Sequence, residues 1–201
     1  MSFVPLEPSD GEEKDLSSSF LATLYPLEDI ASFKDIYDAF KKKNPKADHY
    51  PYAYCLNGVS KSSDDGEPGG SAGRPMMSLL QDKGIDGLLI VARYFGGSKL
   101  GIPRLRRAFL AASEDAIAHA RLGEYRPTYV YSIEVDYPIY ETLKNNAKRH
   151  SFSIESAMFG INVRAEIHSG GRLDGLGEAI GVYDLDLGEP QIIPMLQEVQ
   201  L

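Results

Sequence analysis

Apolar and polar positions change period several times along the chain, and each change marks an element. The run Phe-Leu-Ala-Thr-Leu-Tyr over 20–25 is short and apolar between Ser19 and Pro26, which predicts a buried strand. Over 29–43, Ile30, Phe33, Ile36, Tyr37 and Phe40 recur at helical spacing, with Lys41, Lys42 and Lys43 in the last turn and Asn44-Pro45 beyond. Acid at the start, base at the end and a terminating proline predict a helix. The aromatic stretch 49–56 reads as a strand that Pro51 confines to an edge or a strand start. Residues 57–75 hold Gly58, Gly66, Gly69, Gly70, Gly73, Pro68 and Pro75 among Ser and Asp, and predict a long loop of the functional or mobile kind. Pro75 then opens a short helix over 76–81 that Gly84 closes. The continuous apolar run 88–94 predicts a central strand. An amphipathic helix over 102–121 follows, with Leu105, Ala108, Phe109, Ala112 and Ala116 on one face.

The pattern restarts near Gly123 to Pro127. A strand over 129–135, a helix over 139–149, strands over 152–158 and 161–167, a helix over 173–180 and a strand over 182–187 give the order βαββαβ. That order predicts a ferredoxin-like antiparallel sheet with both helices on one face. The expected class is therefore α+β, with a mobile amino-terminal arm over 1–16, a first domain over 17–123 and a ferredoxin-like domain over 127–201.

Composition narrows the function. The 201 residues are 43% hydrophobic and 25% charged, with a formal net charge of −8. That acidity excludes a surface that coats nucleic acid or anionic membrane as a whole, but leaves room for a local basic patch. Residues 1–125 carry 15 basic and 18 acidic groups and residues 126–201 carry 6 and 11, so acid is spread along the chain. Base is bunched at Arg74, Arg93, Lys99, Arg104, Arg106 and Arg107. A single cysteine, Cys55, excludes an internal disulfide framework and a multi-cysteine metal site, and with no signal-peptide pattern it predicts a cytoplasmic protein without a disulfide-linked partner. No apolar run approaches the roughly 20 residues that span a bilayer.

The chemistry concentrates in two stretches, Asp64-Asp65-Gly66-Glu67-Pro68-Gly69-Gly70-Ser71-Ala72-Gly73-Arg74-Pro75 and Arg93-Tyr94-Phe95-Gly96-Gly97-Ser98-Lys99-Leu100-Gly101. Glycines at this density ahead of two helix starts can turn backbone N–H groups into an anion cradle. The basic residues beside them, with Tyr94 or Phe95 for stacking, fit a phosphate-bearing partner such as RNA. Asp64, Asp65 and Glu67 are candidates for acid–base work on a small phosphorylated or nucleotide-like ligand, but they lack calcium-loop spacing, so neither a metal nor a cofactor is expected. His49 and Cys55 are six residues apart on a strand, roughly 20 Å, too far for a local catalytic pair. Both read as structural residues. A third option is a protein-interaction module whose second half presents an exposed apolar sheet face.

The loop signature, Asp64-Asp65-Gly66-Glu67-Pro68 with Ala72-Gly73-Arg74-Pro75, then Arg93-Tyr94-Phe95-Gly96-Gly97 and Lys99-Leu100-Gly101, resembles that of the IMPACT family. The resemblance implies a first domain similar to a fold of ribosomal proteins and a late domain of elongation factor G, followed by a ferredoxin-like domain. It also implies contact with RNA, the ribosome or a translation-associated protein, in a regulatory rather than an enzymatic role. The chain departs from the family at Ile102-Pro103-Arg104, where further glycines are usual. Pro103 removes an amide and Arg104 adds bulk, which weakens an amide-lined cradle.

Overall fold

The computed structural model describes residues 2–199, which divide into one compact unit of residues 2–124 with 198–199 and another of residues 125–197. The first unit runs β1 (Phe3–Pro5), β2 (Ser9–Asp15), β3 (Ser18–Tyr25), α1 (Phe33–Lys43), β4 (Tyr52–Leu56), β5 (Val59–Ser63), α2 (Gly73–Lys83), β6 (Gly87–Tyr94) and α3 (Ile102–Ala118). Its main sheet has the order β2-β3-β6-β4-β5, every neighbour antiparallel. The central strand β6 is covered on both faces, as its unbroken apolar run requires. Leu89 and Val91 pack with Phe20, Met76, Leu80 and Phe109 beneath α2 and α3, while Leu88, Ile90 and Ala92 pack with Phe40, Tyr50 and Tyr54 beneath α1.

The second unit begins in β7 (Leu122–Val135) and continues through α4 (Tyr137–Asn146), β8 (Phe152–Phe159), β9 (Val163–Ser169), α5 (Leu176–Ile180) and β10 (Gln191–Val199). The strand order β10-β7-β9-β8 is that of a ferredoxin-like sheet. Tyr131, Ile133, Tyr140, Leu143, Ile167 and Leu176 form its core on the helix side. The α+β class read from the sequence is the class observed. On the opposite face Ser132, Glu134, Ser153, Glu155 and Arg164 are exposed beside the exposed Met158, so the middle of that face mixes polar and apolar side chains. No described helix is long and apolar enough to cross a membrane.

Four expectations are corrected. Residues 1–16 were expected as a mobile arm, yet β1 pairs with β7 and β2 pairs along its length with β3. As an edge strand β2 turns Asp10, Glu12 and Lys14 away from the core and buries only Ser9 and Gly11, so its composition resembles disorder. The segment 57–75 is not one loop. Asn57 and Gly58, at φ of 49° and 79°, make a tight hairpin turn from β4 into β5. The helix expected at 76–81 spans Gly73–Lys83, so Gly73 and Arg74 precede Pro75 within its first turn. The last strand is Gln191–Val199 rather than 182–187, where Leu185 and Leu187 pack on the core from an irregular segment.

Candidate functional site

Register brings the signature to one end of the first unit's sheet. Tyr94, the last residue of β6, stands opposite Ser19 of β3, and Ser63, the last of β5, stands opposite Tyr52 of β4. Because β5 and β6 both run antiparallel to β4, the loops that follow them, residues 64–72 and 95–101, leave from the same end. Each loop enters a helix, so the amino ends of α2 and α3 open there together. His49 joins them through a backbone bridge, its carbonyl accepting from the Arg93 N–H at 3.0 Å.

The acidic loop is committed to the protein itself. The Asp64 carboxylate accepts from the amides of Gly70 (2.8 Å), Ala72 (3.0 Å) and Gly73 (2.8 Å). The protein's own carboxylate therefore fills the amide cradle that the glycines create at the start of α2. Burial pushes the Asp64 carboxyl up, but the three amides and nearby Arg74 outweigh it and hold the group below its ordinary value of 3.8. Asp64→Asn is expected to cost about 1–2 kcal/mol at neutral pH. A carboxyl whose pKa is depressed on folding stabilises the fold fully above its unfolded value and loses that stabilisation as pH falls through the lower folded value. Urea titrations should therefore show a constant gap between wild type and variant above about pH 5 that closes below pH 4; a gap unchanged at pH 2.5 would rule the charge out as its source.

Asp65 and Gly66 take left-handed backbone at φ of 46° and 85°. That reversal lets the Asp65 carboxylate accept from the Tyr50 N–H at 2.7 Å and its carbonyl accept from His49 Nδ1 at 2.8 Å. Glu67 is buried, and both its oxygens accept from Arg93 Nη1, at 2.7 and 2.5 Å. The Arg93 guanidinium lies between the rings of Phe20 and Phe95, 5.7 and 5.3 Å from their centroids. Its Nε is buried with no hydrogen-bond partner. Among the described residues no group of His, Cys, Asp and Glu is arranged to hold a metal ion.

The second loop is pinned at its start and open at its end. The Phe95 N–H donates to Asp48 at 2.7 Å, and Ser17 Oγ donates to the Gly96 carbonyl at 2.5 Å. A Cβ at Gly96 would stand 1.9 Å from the Ser17 carbonyl oxygen, so only glycine fits. Gly97 and Gly101, at φ of 90° and 73°, then bend the chain into α3, which has no side-chain cap. Between the loops lies a pocket of about 450 Å³ bounded by His49, Pro68, Arg93, Phe95, Lys99 and Ile102, among others.

The seven candidate binding residues separate. Arg74, Lys99, Arg106 and Arg107 are exposed and enter no ion pair among the described residues. Arg93 is instead the buried partner of Glu67, and Tyr94 points to the other face of β6, where its hydroxyl donates to Asn44 Oδ1 at 3.1 Å. Arg104 Nε donates to both oxygens of Asp15, at 2.8 and 2.7 Å, which holds the Asp15 carboxyl below its ordinary value. Phe95, 45% exposed, is the aromatic residue on offer. Asp48 went unread as a site residue and His49 was read as structural; the backbone bridge that brings them to Arg93 is displayed only by the folded chain.

The model of the family described as Impact N-terminal domain matches residues 16–117. Curated relatives include "IMPACT family member YvyE" of Bacillus subtilis, 28% identical over 75% of this chain and 71% of that one. "IMPACT family member YigZ" of Escherichia coli is 27% identical over 67% and 69%. A crystal structure of a hypothetical protein shares the fold with a TM-score of 0.60 at 21% identity, covering 96% of this chain and 97% of the other.

Proposed function

Because the chain belongs to the IMPACT family, we propose that it is a non-enzymatic accessory factor of translation that binds RNA, alone or in the ribosome, through the loop end of its first unit. The observation that carries this reading is the set of four exposed cations, Arg74, Lys99, Arg106 and Arg107, in and beside the first turns of α2 and α3 on a chain of net charge −8. The acids of the same region offset them only in part: Arg93 and Arg104 neutralise Glu67 and Asp15, while Asp48, Asp64 and Asp65 keep their charge on backbone amides. Asp15, Asp48, Asp64, Asp65 and Glu67 each accept hydrogen bonds within the fold. Phosphate contact by the four cations gives affinity without sequence reading, and Phe95 supplies a stacking surface.

A small phosphorylated substrate held by the glycine-rich loop is not favoured, since Asp64 occupies the amides such a ligand would need.

Filter binding to single-stranded RNA across a salt series tests the proposal. About four phosphate contacts predict a slope of log K against log salt near −3. Replacing all four cations with alanine should flatten that slope and lower affinity at low salt on the order of a hundredfold. No RNA binding at low salt, or a quadruple variant that binds and co-sediments with ribosomes like wild type, would defeat the idea.

A further inference from the structure

We propose that the hairpin between β8 and β9 is a self-association surface, on which a second copy of this chain docks about a two-fold axis. The proposal concerns the second unit alone and goes beyond the RNA-binding reading of the first.

The hairpin end shows water what a core would hide. Phe159 pairs with Val163, so Gly160, Ile161 and Asn162 form a three-residue turn. Met158 is 65% exposed, Phe159 61% and Ile161 99%, and Tyr137 at the start of α4 is 45% exposed. Turns are ordinarily made from glycine, proline and short polar residues, so turn chemistry does not account for an isoleucine at the tip.

The tip is held in place. The Tyr137 hydroxyl donates to the Gly160 carbonyl at 2.9 Å. The Phe159 ring centroid lies 6.2 Å from that of Tyr137 and, edge-on, 5.4 Å from that of Tyr140. On the other side of the hairpin, Asn162 Nδ2 donates to Glu134 of β7 at 3.4 Å. An apolar surface braced in this way loses little conformational entropy when it is covered.

Two observations choose the occupant. The first is charge. Residues 156–163, Ser-Ala-Met-Phe-Gly-Ile-Asn-Val, carry none, on a chain whose net charge of −8 makes copies repel one another as a whole. Met158, Phe159 and Ile161 line a hollow of about 420 Å³, and the two charges in its lining, Glu134 and Arg164, pair with each other at 2.9 Å. One charge of each sign makes that rim self-complementary, because across a two-fold axis Glu134 of one copy can face Arg164 of the other. A partner of a single sign, such as RNA, would be opposed by one of the two.

The second is area. At these exposures four side chains of roughly 150–250 Å² each offer about 500 Å². The largest apolar patch on a typical monomer is about 300–600 Å² and is often functional. Two copies together would cover about 1,000 Å², the lower end of what a specific interface needs, so the dimer is weak and depends on concentration. In the expected fit each Ile161 enters the hollow of the other copy, the same patch serving on both. The exposed apolar side chains of β10 do not gather in this way, since Ile192 and Leu196 share one face of the strand and Ile193 takes the other.

Sedimentation equilibrium of the full-length protein from about 5 to 500 µM, a range suited to a small interface, tests the proposal. The average mass should rise with concentration from 22.1 kDa towards twice that value and level there. The dimer should persist in about 1 M salt, which screens the repulsion between acidic copies but not an apolar contact. Ile161→Glu should weaken association at least about tenfold, because it places an unpaired carboxylate in the contact. Its far-ultraviolet circular dichroism should match wild type, since the side chain stands in water in the single copy. Ile192→Glu adds the same charge on β10 and should associate like wild type.

A mass of 22.1 kDa throughout the range overturns the proposal, as does a dimer that Ile161→Glu leaves intact. Equal loss in the two variants overturns it too, because added negative charge alone would then explain the effect. Growth well beyond twice the mass would mark an open head-to-tail contact and rule out the two-fold arrangement.

Discussion

Glu67→Ala is expected to destabilise the first unit by about 3–5 kcal/mol, the effect of stripping the partner from a buried charge. Side-chain exposure is 8% at Arg93 and 1% at Glu67, so solvent cannot replace what the substitution removes. The stacked Phe20 and Phe95 rings soften the penalty but provide no anion. Glu67→Gln keeps an acceptor at the same distance and should recover part of the loss. Replacing both partners together, Glu67→Leu with Arg93→Met, should recover more, because an apolar pair of similar volume avoids desolvating two ions. Urea denaturation followed by far-ultraviolet circular dichroism reads all three. A single-variant loss below about 1 kcal/mol would mean that water reaches the pair and that it acts as a surface ion pair.

The second large effect is steric. A Cβ at Gly11 would stand 2.1 Å from the Ala116 nitrogen and 2.6 Å from the Ala112 carbonyl oxygen, both backbone atoms of α3. Neither can rotate aside, so β2 must lift from the helix. Lifting breaks the bonds from Ser9 Oγ to the Ala116 carbonyl at 2.8 Å and from the Glu12 N–H to Asp115 at 2.9 Å. Gly11→Ala should therefore cost about 3 kcal/mol, and amide exchange along β2 should accelerate more than in β6. Gly69→Ala is the control, since its Cβ meets nothing within 4 Å, and it should stay within about 0.5 kcal/mol of wild type. Equal stability of the two variants would show that β2 does not depend on its contact with α3.

Much of the fold was legible because periodicity is local. The apolar run of β6 and the helical stripes of α1 and α3 announce themselves, whatever the rest of the chain does. The βαββαβ order of the second unit was readable in the same way. The edge strands β2, β5 and β10 were not. In β5, Val-Ser-Lys-Ser-Ser is exposed or half-buried throughout, so it carries no alternation, although Asn57-Gly58 ahead of it was a hairpin signal. In β10, Pro194 marked a chain unfit for a central strand but tolerated at an edge, while Leu185 and Leu187 drew attention to a segment that packs without pairing.

The site divides along the same line. Which residue types gather where, the glycine-rich loops, the bunched cations and the family to which they belong, follows from order along the chain and needs no coordinates. What each charge is free to do depends on partners far away in sequence. Glu67 meets Arg93 across 26 positions and Arg104 meets Asp15 across 89, and burial converts one pair into core and the other into a surface brace. Composition counts Arg93 and Lys99 alike and counts the amides of both loops alike. Folding encloses the first cation and leaves the second in water, and it gives one helix start a carboxylate of its own while leaving the other open, because burial and hydrogen bonding are settled by neighbours in space.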